Sequence, residues 1–571
     1  RSLKIGLDLR TSLDNNYQPG AIAGSFSFQR DLTGNPQSPS DTGFGIATFL
    51  SGAVSAGSLN YGIAKAGGFR YYAGFVQDDF KINPRLTLNL GLRYERIGAP
   101  TERFHRYSNF DPAAVNTLTG QPGAVKFADK DFGNTIYPTG NNFAPRVGFA
   151  YDVTGGNKLI VRGGYGIFYY QPSGTFILGP YMGFSTSSSY TAFNSEPAFQ
   201  LGSGIPFVNP PLGAAGGDGT FLGSSPDFQE TNRKTPYAQQ WNFGIQYALP
   251  KQTVIEVSYA GNHGVHQPAN GYDFNQLDPT YLSLGLALDN PVANPFASLG
   301  IFGKTISTSQ ALKPYPAYVS INTLASGYGN SNYHSILMRF EKRWSNGLSY
   351  LVSFTGAKMI GDMARRNSSW LSGGFDSSCG QNAKFDRRSC RSIEPLDVSR
   401  RLVASFVYEL PFGQEKPLLN HGVAAAILGG WQVNGIFEAH TGTPLIIRGA
   451  NNRAADRPDY LHSAKLDSSQ RNEYRWFDTD AFAQPALFTY GNAPKTLPDV
   501  RGPGYQSFDA ALIRNIHLFE RANLQLRGDA FNAFNHTNLG LPDTNFLSGT
   551  FGRITSAGDA RIMQLSMRFV W

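Results

Sequence analysis

The chain has 571 residues, of which 13% are aromatic and only 16% are charged. This aromatic content excludes intrinsic disorder, and the lack of long segments rich in Ala, Leu, Glu and Lys excludes a helical bundle. The formal net charge is 49 − 41 = +8, which is a small excess of positive charge for a chain of this length. No segment is dense in Lys and Arg, so we expect no nucleic-acid partner. Mean hydropathy is −0.28, and no segment approaches the ~20 apolar residues of a membrane-spanning helix.

One pattern recurs along the chain: pairs of segments of about ten residues alternate in polarity and are joined by a short turn. The clearest pair is "DDFKINPRLTLNLGLRYER", which turns at Asn83-Pro84. After the turn, Leu86, Leu88 and Leu90 alternate with polar residues, which is the period of a strand with one apolar face. Five further pairs turn at 154–157, 249–250, 345–347, between "VASFVYELPFG" and "WQVNGIFEAHTG", and near 519–521.

Three weaker strands are predicted near 3–10, 23–30 and 53–64. The segment "VAAAILGG" predicts a short helix inside the fifth pair. With the hairpins, this gives about 16 strands in an all-β, antiparallel, up-and-down arrangement.

The connections alternate strictly between these short turns and very long loops rich in Gly, Pro, Ser, Asn and Asp. The predicted loops are 97–142, 171–235, 262–330, 360–399, 441–505 and 533–560. A compact soluble domain seldom contains even one structureless loop of this length. Short periplasmic turns and long extracellular loops are typical of outer-membrane β-barrels. The soluble alternatives, a β-propeller or a stacked sandwich, remain open, although a propeller should show a fixed repeat length.

The two faces of the predicted strands differ in polarity. A barrel of many strands encloses a lumen too wide to be filled with apolar side chains, so we expect the apolar face to contact lipid and the polar face to line the lumen. The residues expected on the polar face are Arg93, Glu95, Arg162, Gln246, Glu256, Arg339, Glu341, Gln432, Glu438, Gln525, Arg527 and Arg568.

Four tryptophans are candidates for the membrane interface, where indole rings concentrate. Trp344 and Trp431 lie beside predicted turns, and Trp571 is the last residue of the chain. These three are expected at one bilayer surface. Trp241 is expected near the opposite surface, because it lies at the other end of its strand.

Several long stretches resemble the Oar-like group of TonB-dependent outer-membrane receptors. They include "YYAGFVQDDFKINPRLTLNLGLRYE", "GGWQVNGIFEAHTGTPL" and "FGRITSAGDARIMQLSMRFVW", with others at 141–169, 235–250, 340–358 and 528–540. Such receptors carry a signal peptide, often a β-sandwich, a plug with a TonB box, and a barrel of about 22 strands. Residues 1–571 resemble only the C-terminal part of that barrel, so we expect the plug, the TonB box and the signal peptide to be absent from this chain.

The resemblance implies a transporter barrel in the bacterial outer membrane, which takes up an unidentified ligand with energy from TonB–ExbB–ExbD acting through the missing plug. Ligand contacts are expected in loops 171–235, 262–330, 360–399 and 441–505. The final strand, with Phe569 and Trp571, resembles the signal recognised by the barrel-assembly machinery, and lipopolysaccharide is an expected neighbour. The alternative is a structural or adhesive barrel whose loops bind surface or matrix partners. We predict no enzyme activity and no cofactor, because no Ser/His/Asp grouping has a scaffold that would form a triad.

Three groups of loop residues are candidates for special roles. Cys379 and Cys390 are expected to form a disulfide, because an extracellular loop is in an oxidising compartment; free thiols or a metal pair are the alternatives. His263 and His266 could bind a metal, but a solvated rim is the default, and no metal site is predicted. A basic cluster could attract lipopolysaccharide or an acidic ligand, or simply be solvated; its members are Arg387, Arg388, Arg391, Arg400 and Arg401.

Overall fold

A computed structural model describes the chain except for residues 18–19, 21, 39–40, 129, 134–139, 171–178, 208, 270–271, 325, 363–383, 415, 455 and 520–521. Its main feature is one large antiparallel sheet in which fourteen strands follow each other in chain order. These strands are β1 Ser2–Asn16, β2 Lys65–Asn83, β3 Leu86–Ile97, β4 Gly140–Asp152, β5 Leu159–Tyr169, β6 Tyr237–Leu249, β7 Thr253–Ala269, β8 Ser326–Ser345, β9 Leu348–Gly361, β10 Arg400–Glu409, β11 Trp431–His440, β12 Tyr505–Phe519, β13 Ala522–Phe531 and β14 Ile562–Val570.

The six predicted hairpins are confirmed as the pairs β2–β3, β4–β5, β6–β7, β8–β9, β10–β11 and β12–β13. At the turn between β8 and β9, Asn346 has φ 54° and Gly347 has φ 72°. Two successive positive φ angles define the hairpin turn for which Asn-Gly is the preferred sequence. Short connections therefore lie at one edge of the sheet, called here the turn edge, and all the long loops leave from the opposite, loop edge.

The strand register separates the side chains into two faces that cross the whole sheet. One row of directly paired residues runs through Leu88, Phe149, Gly163, Phe243, Tyr259, Ile336 and Gly356. We call the face that carries this row the apolar face. The side chain of Phe243 is 47% exposed, so these residues do not form a dry centre.

The opposite face, called here the polar face, carries a row with alternating charge. This row runs through Gln246, Glu256, Arg339, Ser353, Val403, Glu438 and Ser507. Some ion pairs on this face join different strands, as in Arg93–Asp8 and Arg401–Glu438, each at 2.8 Å, and others lie within one strand, as in Arg339–Glu341 at 2.6 Å. The polarity expected for the lumen side is confirmed for these residues.

The expectation that 23–30 and 53–64 belong to the large sheet is wrong. Ser25–Ser27 and Ala56–Tyr61 form a separate three-stranded sheet with Thr186–Thr191. Alternation alone cannot distinguish a barrel strand from a strand inside a loop, because both expose one face. Within the described ranges, the large sheet still has sixteen strands, since the two-residue strands Thr101–Glu102 and Ser392–Ile393 pair with it beside the fourteen.

The long loops contain further short elements. The remaining strands are Ala53–Val54, Ser108–Val115, Pro122–Phe127, Phe199–Gln200, Asp227–Gln229, Pro291–Ala293, Thr305–Ser307, Asn322–Leu324, Asp459–Tyr460 and Phe482–Ala483. Among the residues that the structure describes, the α-helices are Gly45–Leu50, Thr308–Ala311 and Gly422–Leu428, and the 3-10 helices are Arg30–Leu32, Leu201–Ser203, Gly213–Gly219, Pro279–Asp289, Ala297–Leu299, Arg388–Cys390 and Thr479–Ala481. Among the described residues, every helix is too short or too polar to cross a membrane. The helix Gly422–Leu428 confirms the one predicted between β10 and β11.

Candidate ligand site at the loop edge

The long loops pack into ordered bodies with cores of their own. Loop 441–504 buries Leu445, Ile447 and Phe477 in one cluster, and Phe546 and Phe551 from the loop before β14 pack against it. A second cluster joins Phe110, Phe296, Ala317, Tyr318 and Ile321, which come from two loops separated by four strands of the sheet. Because buried aromatic side chains pack the loops against one another, the loop edge has a defined structure.

A partly buried carboxylate, Asp218, fixes two of these loops to each other. Lys126 Nζ lies 2.9 Å from Asp218 Oδ1, and the Thr117 backbone N–H and hydroxyl both donate to Asp218 Oδ2. Burial raises the pKa of Asp218, but these hydrogen bonds lower it more, to about 2. Asp218 is therefore ionised across the physiological range and holds loop 170–236 against loop 98–139.

Loop 441–504 is also tied to the loop that precedes β10. The Arg501 guanidinium donates to Asp397 Oδ2 at 2.5 Å and to the Asp397 carbonyl at 2.7 Å. The Thr496 hydroxyl donates to the Ile393 carbonyl at 2.6 Å. Because Asp397 is almost completely buried, removal of either partner leaves an uncompensated buried charge.

Between these tied loops and the ends of β10, β11 and β12 lies a cavity of about 690 Å³. This volume is within the range of small-molecule sites in proteins, about 300 to 1,000 Å³. Its lining is rich in cations and aromatic rings: Arg400, Arg401, His440, Arg471, Trp476, Arg501, Tyr505 and His536, with Asp499 as the acidic member. We call this space the basic cavity.

Two arginines of the basic cavity already have carboxylate partners. Arg501 is held by Asp397, and Arg401 pairs with Glu438 on the polar face at 2.8 Å. In the described part of the chain, neither Arg400 nor Arg471 forms an ion pair. Arg471 donates from Nε to the Leu466 carbonyl at 2.9 Å, which leaves its terminal nitrogens for another acceptor.

The aromatic rings of the cavity are held in place by hydrogen bonds and stacking. The Trp476 indole N–H donates to the Arg501 carbonyl at 2.7 Å, and the Arg471 guanidinium lies 5.9 Å from the Trp476 ring centre. His440 and Tyr505 stack at 5.3 Å between ring centres with planes 17° apart. Fixed arginines and flat rings together suit an anionic ligand that also offers a flat apolar surface.

A second cavity, of about 620 Å³, lies across β8 to β13. It includes Leu351, Ile436, Ala511 and Phe531, which the register places on the polar face. Glu341 and Arg527, which the sequence predicts on this face, line the same recess; sequence reasoning missed only its apolar members, because it expected polar side chains throughout. The sequence does show these apolar residues on the polar face, because each is an odd number of positions from residues of the apolar face in its own strand.

The basic cluster predicted from sequence is only partly assembled. Arg400 and Arg401 line the basic cavity, whereas Arg387 lies elsewhere, 4.4 Å over the ring of Tyr328 and 3.9 Å from Asp362. Arg388 and Arg391 are solvent-exposed. Sequence reasoning missed Arg471 and Arg501, which are distant along the chain and reach the cavity only through the folding of loop 441–504.

The two candidate metal-binding histidines have other partners. His263 Nδ1 lies 2.7 Å from Asn332 Oδ1, and His266 Nδ1 lies 3.2 Å from the Gly327 carbonyl. No three His, Cys, Asp or Glu side chains of the described residues are grouped as a metal site would require. Cys390 is buried and disulfide-bonded; its predicted partner Cys379 lies outside the described residues, so the pairing stays a prediction.

The four candidate interface tryptophans lie at the expected edges of the sheet. Trp344, Trp431 and Trp571 are at the turn edge, and Trp241 is in the loop half of β6. The Trp241 ring lies flat on Gly261 of β7, where an added Cβ would come within 2.3 Å of it. Their contact with lipid headgroups, and the assembly role of Phe569 and Trp571, stay predictions.

Several solved outer-membrane receptors are similar to this chain at low sequence identity. The pyoverdine receptor FpvA from Pseudomonas aeruginosa is 11% identical with a TM-score of 0.38, over 89% of this chain and 43% of that one. The siderophore receptor PiuA from Acinetobacter baumannii is 10% identical with a TM-score of 0.38, over 89% and 44%. The ferric-catecholate import receptor Fiu from E. coli K12 is 11% identical with a TM-score of 0.41, over 100% and 51%.

The chain thus spans about half, or less, of the length of these receptors. Comparison with curated protein sequences finds no match. A family model described as an outer membrane beta barrel domain matches residues 1–564. Taken with the up-and-down antiparallel sheet and its two faces, this match shows that the chain belongs to the outer membrane beta barrel domain family and is a protein of the bacterial outer membrane.

Proposed function

We propose that this chain is the barrel part of a TonB-dependent transporter of the Oar-like group, which takes up a small anionic ligand. The long stretches that resemble this group support the proposal, as does a sheet with one apolar and one polar face. The observation that carries it is the basic cavity, because a structural barrel needs no fixed arginines and rings beneath its loops. Transport makes and breaks no bond, so no catalytic residue is needed.

The chemistry of the basic cavity suggests the class of ligand. Arg400 and Arg471 are charged donors with unused hydrogen-bonding capacity, and carboxylate or phosphate groups accept such donors strongly. Trp476 and Tyr505 present ring surfaces on which the flat apolar side of a sugar can stack. An acidic oligosaccharide of two or three units fits both the donors and the volume of about 690 Å³.

Energised uptake requires partner proteins. We assign coupling to TonB–ExbB–ExbD to a plug that covers the recess around Leu351, Ile436 and Phe531. Among the described residues, β1 pairs only with β2, and β14 only with β13. Further strands paired with these two edges would close the barrel, as lipid offers no hydrogen-bond partner to a sheet edge. The other proposed partners are the barrel-assembly machinery, which would bind β14, and lipopolysaccharide, which would contact the loop edge.

The ligand class is tested by binding of digalacturonic acid to the purified chain, measured by calorimetry. Arg400→Gln combined with Arg471→Gln removes two charged donors, each worth about 1.5–3 kcal/mol when engaged. We expect at least a tenfold loss of affinity. Arg553→Gln in the loop before β14 removes a charge outside the cavity and should leave binding unchanged. Equal affinities for all three proteins would refute the ligand class.

Energised transport is tested separately, in cells that produce the full gene. Uptake of radiolabelled digalacturonic acid should fall to background when a protonophore dissipates the inner-membrane gradient, or when tonB is deleted. Uptake that persists under both conditions would refute the coupling to TonB. Binding without any energy-dependent uptake would favour a receptor or adhesive role instead.

A structural or adhesive function is the second candidate, and the loop before β2 favours it. The helix Gly45–Leu50 in this loop exposes Ile46 and Leu50 to solvent, and Phe44 beside it is exposed as well. Exposed apolar groups on an outer loop fit contact with another macromolecule. This function predicts attachment of cells to a surface that Phe44→Ser with Leu50→Ser abolishes and that a protonophore leaves intact.

A further inference from the structure

The connection between β10 and β11 differs from the other short connections at the turn edge. It contains the helix Gly422–Leu428, whose sequence GVAAAIL has no polar side chain. Only Ala425 is buried, while the side chains of Val423 and Ile427 are 75% and 57% exposed. Residues four apart lie on one side of a helix, so these two form an apolar stripe that the described residues leave uncovered.

Two side chains of the apolar face hold this helix at the lipid side of the sheet. The Trp431 indole N–H donates to the Ile427 carbonyl at 3.1 Å. The Arg514 guanidinium donates to the Ala426 carbonyl and lies 5.5 Å from the Trp431 ring centre. Trp431 and Arg514 are directly paired in the register, on the same face as Leu512 and Leu526. The helix therefore continues the apolar face beyond the ends of the strands.

Arg514 is a cation on the apolar face. In the described part of the chain it forms no ion pair, and its Nε is buried without a hydrogen-bond partner. An arginine in this position needs a compensating anion, and beside a bilayer the available anion is the phosphate of a lipid headgroup. Exposed Trp344 and Trp571 lie at the same edge of the sheet, which is the level expected for headgroups.

We propose that the helix Gly422–Leu428 lies in the headgroup region of the periplasmic leaflet and that Arg514, beside it, binds a phospholipid phosphate. Val423 and Ile427 then insert among the upper acyl carbons. One partner, a phospholipid surface, would cover the apolar stripe and supply the anion for Arg514, which forms no ion pair among the described residues. The interaction anchors the barrel at its turn edge and does not depend on which ligand is transported.

Position in the membrane is tested with an environment-sensitive label. Ile427→Cys is labelled with the fluorophore NBD in phosphatidylcholine–phosphatidylglycerol vesicles; the native disulfide does not react. Leu547→Cys is the matched control, because Leu547 is a 62% exposed leucine in a loop at the opposite edge. We expect lipids brominated on the upper acyl carbons to quench the label at 427 at least twofold more than the label at 547. Equal quenching at both positions would overturn the proposal.

The role of Arg514 is tested by native mass spectrometry of the protein released from detergent with phosphatidylglycerol. Arg514→Gln should retain at least threefold less of this lipid than the unchanged protein. Arg553→Gln, which removes one charge from a loop, should retain as much as the unchanged protein. Undiminished retention by Arg514→Gln would overturn the phosphate site. Heat-shifted migration on gels confirms that each variant is folded before it is compared.

Discussion

The orientation of the two faces can be tested by placing one charge on each side of β6. Phe243→Lys puts an ammonium group on the apolar face, and Asn242→Lys puts the same group on the polar face one residue away. Phe243 lies six residues from the turn end of its strand, so it is near the middle of a crossing of about 10 residues. Phe243→Leu is the control for the loss of the ring without a charge.

The magnitude follows from the surroundings of Phe243. Its direct neighbours across the sheet are Gly163 and Tyr259, and neither carries an anion that could compensate a lysine. A lysine facing lipid near the bilayer midplane costs about 2–4 kcal/mol, or about 30- to 1,000-fold in the folding equilibrium. Asn242 is paired with Gly164 and Ala260 on the polar face, where water solvates the new charge, and we expect a change below about 0.5 kcal/mol.

The measurement is the free energy of unfolding in phosphatidylcholine vesicles, from urea titration followed by heat-shifted migration on gels. Phe243→Lys should be less stable than Phe243→Leu by about 2–4 kcal/mol, and Asn242→Lys should match the unchanged protein. If Asn242→Lys lowers the free energy of unfolding more than Phe243→Lys does, the polar face contacts lipid and the apolar face contacts water. That outcome would refute the orientation on which the transport proposal rests.

Three further changes test single turns and loops. Gly347→Ala should cost about 1 kcal/mol in unfolding free energy, because φ at this position is 72°; Gly156→Ala, in a turn with open space around it, should be neutral. Asp218→Asn should lower stability by about 1–3 kcal/mol at pH 7, through loss of its bond to Lys126. Folding lowers the pKa of Asp218 from 3.8 to about 2, so the stability that the ionised carboxylate confers is complete above pH 3.8 and is lost as the pH falls to 2. A difference in stability between Asp218→Asn and the unchanged protein that does not vary with pH would contradict this. Cys390→Ser should speed tryptic cleavage of residues 384–399, as the disulfide stabilises its loop by about 3 kcal/mol; unchanged cleavage would exclude a structural disulfide.

The strands and turns were predictable because their determinants are local. Alternation around Leu88 and Leu90 defines β3 as a two-faced strand without reference to any other part of the chain, and Asn346-Gly347 defines the turn between β8 and β9 in the same local way. The polar row through Glu256 and Arg339 follows from the same alternation once the strands are paired in order. Few pairing registers are possible between consecutive antiparallel strands, because a shift by one residue would move the apolar side chains of a strand to the polar face of the sheet.

The basic cavity and the loop cores could be decided only by the tertiary structure. Arg471 and Arg501 reach Arg400 across about 70 to 100 residues of sequence, and no local pattern reports a contact made at that separation. The same holds for the segment 53–64, which alternates like a barrel strand but pairs inside a loop. The sequence by itself determined which segments are strands and which side of each is apolar, because those properties belong to neighbouring residues. The basic cavity and the loop cores depend on long-range packing of Phe, Tyr and Trp side chains. One sequence pattern is compatible with many such packing arrangements, and only the tertiary structure shows which one forms.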